Sequence, residues 1–155
     1  MEISLNFSYK FERCLVLSSY LKEPPTDDID DIKSNIKINV QSHYQYIIET
    51  NRLFVDLFVR YESDIEEYDE DIFSINIRNI FKLKSEEDLV YSNEDRMYLD
   101  VNLEVLSAFT TWAFSTTRGI IHEKLNGSRF SDVILPIMNE SDLRPQEPVI
   151  AKKTP

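Results

Sequence analysis

The sequence predicts an α+β fold in which a four-stranded antiparallel sheet is followed by one long helix and a short second helix. Four stretches in the first part of the chain alternate apolar and polar residues, as half-buried strands do. Later in the chain, an uncharged stretch of thirteen residues, VLSAFTTWAFSTT, is typical of a helix that is covered on several sides. With 155 residues, the chain has the size of one domain.

The four predicted strands follow one another in the first part of the chain. Strand one covers residues 3–21 and is ended by two consecutive prolines. Strand two covers residues 36–48, and a polar turn at residues 49–51 leads into strand three at residues 53–61, which makes a long hairpin. Strand four covers residues 73–83 and follows an acidic loop. Alternation within each strand predicts one buried and one exposed face for the sheet.

The predicted long helix covers residues 98–127, with Asp95 as its N-cap and Gly127 just after its C-terminal end. A helix that lies on one sheet normally shows a charged stripe to water, whereas apolar rows occupy more than half of this helix. We therefore expect an oligomer built through the helix, with an ordinary core helix of a monomer as the alternative. The residues expected at the oligomer interface are Leu106, Phe109, Trp112 and Ala113 of the helix and Ile75 and Ile77 of strand four.

The segment after the helix contains a buried-looking run at residues 133–137, broken by Pro136, and a short helical turn near residues 140–143. Residues 144–155 lack apolar periodicity and are expected to form a mobile C-terminal tail. The sequence therefore predicts one folded domain over residues 1–143.

Composition narrows the classes of partner. The chain has 17 basic and 28 acidic residues and a net charge of -11, which opposes binding to nucleic acids and to anionic membranes. No apolar run reaches the length of a membrane span. A single cysteine and the absence of a charged-then-apolar leader favour the cytoplasm. Acidic clusters at residues 27–31 and 62–71 could attract a basic partner.

The sequence shows no recognisable motif for catalysis or metal binding. His43 and His122 have no motif around them, and Cys14 lies in an apolar run. Two glycines in the whole chain exclude the usual glycine-rich phosphate loops. The acidic clusters lack the glycine and the alternate spacing of a calcium loop. We expect no enzymatic activity, no cofactor and no metal.

The segment STTRGIIHEKLNGSRFSDVILPIMNESDL, at the end of the predicted helix and after it, resembles the SecB-like chaperones. The matching residues are Arg118, Gly119, Ile120, Ile121, Gly127, Leu135, Pro136, Ile137, Asn139 and Leu143. The predicted order of four long strands, a crossover and one long helix is similar to that family as well.

The resemblance implies a homotetramer, arranged as a dimer of dimers, whose long helices lie between two sheets. It also implies an ATP-independent holdase that keeps unfolded, extended clients in apolar grooves. The chain has nine Phe, eight Tyr and one Trp to line such a groove. We hypothesise that Phe54, Phe58, Val90 and Tyr91 contribute to it, with Tyr44 and Tyr46 as further candidates. Ordinary core packing remains the alternative for each of them.

Members of this family differ in their clients. Export members deliver preproteins to the SecA motor through leucine and acidic positions on strand four and acidic positions near the end of strand one. Here Ser74 and Asn76 occupy the strand-four positions, and CLVLSSYL in strand one has no carboxylate. These departures favour the SecB-like chaperones of toxin-antitoxin systems, some of which act in antiviral defence. Protein export remains one alternative, and a non-chaperone oligomeric scaffold is another.

Overall fold

A computed structural model describes residues 9–23, 29–63, 71–83, 90–91, 98–100, 103–136, 138 and 149–152. Its elements are β1 (Tyr9–Leu21), α1 (Ile29–Ser34), β2 (Ile36–Ile47), a 3-10 turn (Ile48–Thr50), β3 (Arg52–Ser63), β4 (Asp71–Leu83), β5 (Val90–Tyr91), β6 (Tyr98–Asp100), α2 (Leu103–Leu125) and β7 (Val149–Lys152). This architecture confirms the predicted α+β class. The expected short helix at residues 140–143, strand residues 3–8 and Asp95 lie outside the described residues.

One mixed sheet contains all of the described strands, in the order β1-β4-β3-β2-β7-β6-β5. The four long strands are neighbours and pair antiparallel, β1 with β4, β4 with β3, and β3 with β2. The predicted four-stranded antiparallel sheet is therefore confirmed as the larger part of this sheet. In it β1 occupies one edge and the two-residue strand β5 the other.

Helix α2 packs on one face of the sheet, which we call the inner face. Phe109 of α2 contacts Phe81 of β4 with ring centroids 4.8 Å apart, and Tyr44 of β2 hydrogen-bonds to Thr110 of α2. Alternate residues of β3 and β4 fill this core because successive side chains of a strand point to opposite faces. The fully buried members include Leu53, Val55, Leu57, Val59, Tyr61, Phe73, Ile75 and Ile77. The opposite face, which carries Phe54, Asp56 and Phe58, is the outer face.

Asn51 ends the β2–β3 turn and ties it to β4. Its backbone lies in the left-handed region, with φ 51°, which asparagine tolerates better than most residues. The Asn51 side-chain nitrogen donates to the carbonyl of Leu83 at 2.7 Å, and the Asn51 carbonyl accepts from the Leu83 N–H at 2.9 Å. The hydroxyl of Tyr46 donates to the Asn51 side-chain oxygen. These bonds fix the hairpin against the end of β4.

The long helix begins later than the sequence predicts. Residues 98–100 form β6, which pairs with β7 and β5, and α2 begins at Leu103. Asp100, which ends β6, and the next two residues of the sequence, Val101 and Asn102, are all of types with low helix propensity. Strand pairing prevails at residues 98–100, and the prediction of a helix from residue 98 was wrong at its start.

The C-terminal segment contributes a strand that the sequence analysis did not expect. Val149–Lys152 forms β7, which lies between β2 and β6 and pairs parallel to β2. Three apolar or small residues, Val149 to Ala151, are too few to show a period, so the expectation of no regular structure after residue 144 needs this correction. Backbone hydrogen bonds to β2 and β6 stabilise β7, although its side chains show no pattern that predicts a strand.

The acidic connector at residues 27–31 runs into the short helix α1. Ile32 of this helix is fully buried in the core, while Asp30 and Asp31 are exposed near its N-terminus, where negative charge is favourable. Side chains of Ser34 and Asn35 donate to the carbonyls of Asp30 and Asp31 at 2.8 and 2.7 Å. Ile32 thus anchors α1 in the core.

Candidate functional site

Strand β1 is a long sheet edge with exposed apolar side chains. Within the described part of the chain it pairs only with β4. Its second half, CLVLSSYL, contains no charged residue, although edge strands are usually protected from further pairing by charges or by covering segments. The exposed large apolar residues of β1 are Leu15, Val16, Leu17, Tyr20 and Leu21. This edge therefore resembles an interaction surface.

The exposed residues of β1 occupy both faces of the sheet. Val16 and Leu21 lie opposite the inner-face residues Ile77 and Phe73, whereas Leu15 and Tyr20 lie opposite Arg78 and Ser74 on the outer face. Leu17 falls at a register irregularity between Val16 and Ser18 and is 46% exposed. An irregularity of this kind re-aims a side chain and increases the local twist. Apolar side chains are consequently available on both sides of the free edge.

Helix α2 leaves one uncharged stripe exposed. The stripe consists of Ala108, Trp112, Ser115, Gly119 and His122, which recur at alternating spacings of four and three. Residues with this spacing share one helix face. Small side chains at such positions permit close approach of a second helix, and Trp112, 49% exposed, supplies a large apolar contact.

Trp112 connects the exposed stripe of α2 with β1. Its ring lies 6.2 Å from the ring of Phe11, measured between centroids, and Phe11 in turn packs edge-on against Phe81 at 5.4 Å. Phe11 therefore lies beside the exposed side of α2, and Val16 and Leu21 lie on the same inner face of β1. We refer to these three residues and Trp112 as the β1–α2 surface.

The residues predicted at the oligomer interface are divided between core and surface. Leu106, Phe109, Ala113, Ile75 and Ile77 are each at most 2% exposed and fill the core of the single chain. Only Trp112 of the six is exposed. Several apolar rows on the helix were predicted, and residues of two of these rows were assigned to the interface. The placement thus differs from the expectation, and the row that contains Ala108 and Trp112 is the one left open.

Two of the predicted client-binding residues are core residues. Tyr44 and Tyr46 are 2% and 0% exposed. The hydroxyl of Tyr44 lies 2.6 Å from the hydroxyl oxygen of Thr110, which itself donates to the carbonyl of Leu106. Their side chains bind α2 and the β2–β3 turn, so they are not available to a client.

The other predicted groove residues are not brought together. Phe54 and Phe58 lie half-buried on the outer face, where the guanidinium carbons of Arg78 and Arg60 lie 4.7 and 5.8 Å from the respective ring centroids. Such cation–π contacts cover the rings with charge. Val90 and Tyr91 form β5, which β2, β7 and β6 separate from β3, and their side chains lie outside the described residues. A groove made of these four residues is therefore not supported.

Asp56 and Arg78 form the central ion pair of the outer face. Two nitrogens of Arg78 donate to the two carboxylate oxygens of Asp56 at 2.9 and 2.8 Å, a bidentate geometry. The hydrogen bond to Asp56 is the main cause that raises the pKa of Arg78. The pair holds the Arg78 guanidinium over Phe54, and the ion pair of Arg60 with Glu62 does the same for the guanidinium over Phe58. This arrangement cross-links β3 and β4.

Other groups considered in the sequence analysis show no assembled chemistry. His43 is hydrogen-bonded to Gln45 with 3.0 Å between the side-chain nitrogens, and His122 is exposed at the end of α2. Burial raises the pKa of the Cys14 thiol, which keeps it protonated and poorly nucleophilic. In the part of the chain that the structure describes, no group of three or more His, Cys, Asp or Glu side chains could hold a metal ion.

Sequence reasoning missed β1 as a site because it treated an apolar strand as a buried one. The signal was present in CLVLSSYL, which is apolar at consecutive positions and lacks the alternation of the first half of the strand. Such a run is expected when both faces are covered. Its position at an edge depends on the order of strands in the sheet, which alternation within a strand does not reveal.

Comparison with known proteins does not identify the chain. No protein-family model matches it, and no curated protein matches it. The resemblance to SecB-like chaperones therefore rests on the residues quoted above. Among the described helices, none has the length and apolar character needed to cross a membrane.

Proposed function

We propose that this protein is an ATP-independent holdase chaperone whose client adds an extended apolar segment to the free edge of β1. The observation that carries the proposal is an edge strand whose second half is uncharged and exposes large apolar side chains on both faces. An added strand would bond to the open backbone groups of β1, and its alternate side chains would meet apolar residues on each side. Recognition through backbone bonds and apolar area tolerates many client sequences.

Favourable binding of the client requires backbone hydrogen bonds as well as apolar burial. Covering the exposed part of five side chains that are roughly 40% exposed contributes about 3–6 kcal/mol, using about 1.5–3 kcal/mol for complete burial of one such side chain. Association itself costs on the order of 4–15 kcal/mol. Burial alone is thus insufficient, whereas burial together with several ladder hydrogen bonds, at about 1 kcal/mol each, makes binding favourable.

The proposal includes a homotetramer, a dimer of dimers that forms through the exposed stripe of α2. The stripe lacks charge, its residues are small around Trp112, and its spacing fits the packing of a second helix. In this arrangement α2 is covered by another copy, while β1 serves the client. A cytoplasmic location belongs to the same proposal and rests on the sequence alone.

We further propose that the client is the antitoxin of a toxin-antitoxin-chaperone system. Ser74 and Asn76 lie half-buried on the outer face of β4, opposite Tyr20 and Ser18 of β1. Neither residue supplies the leucine or the carboxylate of the export pattern. Delivery to SecA is the alternative: sub-micromolar binding to SecA, with no binding to any antitoxin, would replace the antitoxin assignment by export.

The decisive experiment measures protection of a denatured protein. Wild-type protein is expected to suppress aggregation of chemically denatured citrate synthase at a stoichiometric ratio without nucleotide, followed by light scattering. Val16→Lys and Leu17→Lys should each reduce protection at least fivefold, because they place charge on the edge. Ile134→Lys, at an apolar residue that is 66% exposed outside β1, is the matched control and should retain protection.

A non-chaperone scaffold is the second candidate, since the same edge can pair with β1 of another copy. A scaffold would use its apolar surface for self-assembly and leave denatured citrate synthase unprotected. In that case Val16→Lys would change the sedimentation coefficient of the protein instead. Wild-type protein that assembles but gives no protection would therefore favour the scaffold over the holdase.

A further inference from the structure

The outer face of the sheet has a charge opposite to that of the whole chain. The chain carries 17 basic and 28 acidic residues, yet strands β1 to β4 contain more basic than acidic residues. The acidic residues Asp56 and Glu62 pair with Arg78 and Arg60 at 2.8 and 2.6 Å. Several further basic residues of the face lie at one end of the sheet.

Three cations meet at this end. Lys10 of β1 lies directly opposite Lys82 of β4, and Lys82 lies directly opposite Arg52 of β3. Like charges in direct cross-strand register are unfavourable. Glu12 neutralises Arg52 at 2.6 Å, whereas Lys10, Lys82 and the nearby Arg13 are exposed and form no ion pair within the described part of the chain. We call Lys10, Arg13 and Lys82 the basic corner.

The positions of these side chains follow from the strand register. Phe11 points to the inner face, where it contacts Phe81, so Lys10 points to the outer face. Arg13 lies opposite Ile80, an outer-face neighbour of Lys82. The fields of Arg52, Lys82 and Lys10 all contribute to lowering the pKa of Glu12, after the larger effect of its hydrogen bond to Arg52. Several cations therefore act at one place.

We propose that the basic corner docks an acidic segment of a partner protein, namely an extended peptide with two or three closely spaced carboxylates followed by an apolar residue. Neighbouring strands are about 4.8 Å apart and alternate residues of one strand about 7 Å apart, so Lys10, Lys82 and Arg13 match carboxylates at similar spacing. Leu15, exposed two residues after Arg13 on the same face, accepts the apolar residue.

The small size of the corner favours a peptide over a nucleic acid or a membrane. A phosphate backbone carries charge at every nucleotide and would extend from three cations onto a chain of net charge -11. Binding to an anionic bilayer generally requires clusters of four to eight basic residues. An acidic peptide places its few charges on the corner alone, and screening over about 8–10 Å at physiological salt limits repulsion by the rest of the chain.

The test uses two fluorescein-labelled peptides, Gly-Glu-Glu-Gly-Glu-Leu-Gly and its twin with Gln at every Glu, and measures anisotropy in 100 mM NaCl. Wild-type protein should bind the acidic peptide at least tenfold more tightly than the twin. Lys82→Glu and Lys10→Glu should each remove that preference. Lys124→Glu, the same charge change at an exposed position on α2, is the matched control and should keep it.

Reversing the charge of both the corner and the peptide distinguishes a lost contact from a misfolded variant. Lys82→Glu should bind a third peptide, with Lys at each Glu, more tightly than wild type does. Equal binding of the first two peptides, or equal losses with Lys82→Glu and Lys124→Glu, would overturn the proposal. A single-stranded oligonucleotide that displaces the acidic peptide and binds the corner more tightly would assign the corner to nucleic acid. Loss of self-association in Lys82→Glu would assign it to a second copy of the chain. Either result also overturns the proposal.

The basic corner lies at the first half of β1 and the end of β4, shares only Leu15 with the proposed client-binding edge, and does not depend on holdase activity. Lys10→Glu and Lys82→Glu are expected to protect denatured citrate synthase as wild type does. Conversely, Val16→Lys, on the inner face, should retain the preference for the acidic peptide. Failure of one proposal is thereby distinguished from failure of the other.

Discussion

Tyr61 has a hydroxyl group that folding removes from water. The side chain is fully buried, and its ring packs edge-on against Phe73 with centroids 5.4 Å apart. The hydroxyl has no hydrogen-bond partner among the described residues. Burial raises the pKa of Tyr61 to about 12. A buried polar group without a partner costs free energy, because its hydrogen bonds to water are lost.

We therefore expect Tyr61→Phe to raise the free energy of unfolding by about 1 kcal/mol at pH 7, as measured by urea denaturation. Because the folded-state pKa lies above the unfolded value near 10, wild type should lose stability as pH rises from about 10 to 12, and the variant should lack this component. Tyr44→Phe is the control, since it removes a hydrogen bond to Thr110 and should lower stability. Changes of the same sign in both variants would contradict the explanation.

The ion pair of Glu12 with Arg52 is expected to form an acid-sensitive link between β1 and β3. Its hydrogen bond with Arg52 is the largest cause that lowers the pKa of Glu12, burial opposes it, and nearby cations add to the lowering. Because the folded-state pKa is lowered, the stabilisation is present above the unfolded pKa and is lost as pH falls through the folded pKa. The link therefore operates at neutral pH.

Glu12→Gln should consequently be less stable than wild type at pH 7, and the difference should shrink as pH falls toward 3. Urea denaturation across this range measures it. In an Arg52→Gln background the same substitution should have little effect, because the partner is gone. A difference between wild type and Glu12→Gln that stays constant with pH would exclude the ion pair as its cause.

At the scale of elements, the sequence predicted the faces of the strands more completely than their neighbours. Alternation placed Leu53, Val55 and Leu57 on one face of β3, and the structure confirms it. Alternation says nothing about which strand lies at an edge, so the exposure of Leu15 to Leu17 could not be predicted. The same holds for Phe54, whose contact with Arg78 depends on the register between two strands.

Helix α2 shows a similar limit to sequence reasoning. Its lack of charge predicted that more than one side is covered or awaits a partner, and its apolar rows were recognised. Which row faces the sheet depends on the rotation of the helix about its axis. The structure turns Phe109 and Ala113 inward and leaves Trp112 outward. The two rows therefore respond differently to substitution.

Phe109→Asp should unfold the chain, because an uncompensated charge in the core costs several kcal/mol. Trp112→Glu should leave the fold intact and reduce the oligomer to smaller species, since it places charge on the exposed stripe. Circular dichroism and sedimentation velocity distinguish these outcomes. A wild-type protein that sediments as a monomer, or a Trp112→Glu variant that unfolds as readily as Phe109→Asp, would contradict assembly through α2.

On the scale of the whole molecule, the continuity of the sheet depends on the short strand β7. Strand β7 lies between β2 and β6, so the small strands β5 and β6 join the four long strands through it. The register pairs Gln45 with Ile150 and Ile47 with Lys152. Loss of β7 would expose the edge of β2 and disconnect β5 and β6 from the four long strands. Open edges favour aggregation.

A chain that ends after residue 148 should therefore scatter light at lower temperature than wild type during slow heating. A chain that ends after residue 152 retains β7 and is the control, with the temperature of aggregation expected to remain within about 2 °C of wild type. Identical behaviour of both truncated chains would show that β7 does not protect the sheet.

The parallel pairing of β2 with β7 also has a consequence for synthesis of the chain. Gln45 is made well before its partner Ile150, and at roughly 5–20 residues per second the interval is on the order of 5–20 s. Once β4 has been made, β1 to β4 can pair with one another, while the far edge of β2 remains open in the crowded surroundings of translating ribosomes. Completion of the sheet is thus timed by the rate of translation, and a nascent chain exposes two open edges where the finished protein exposes one long one.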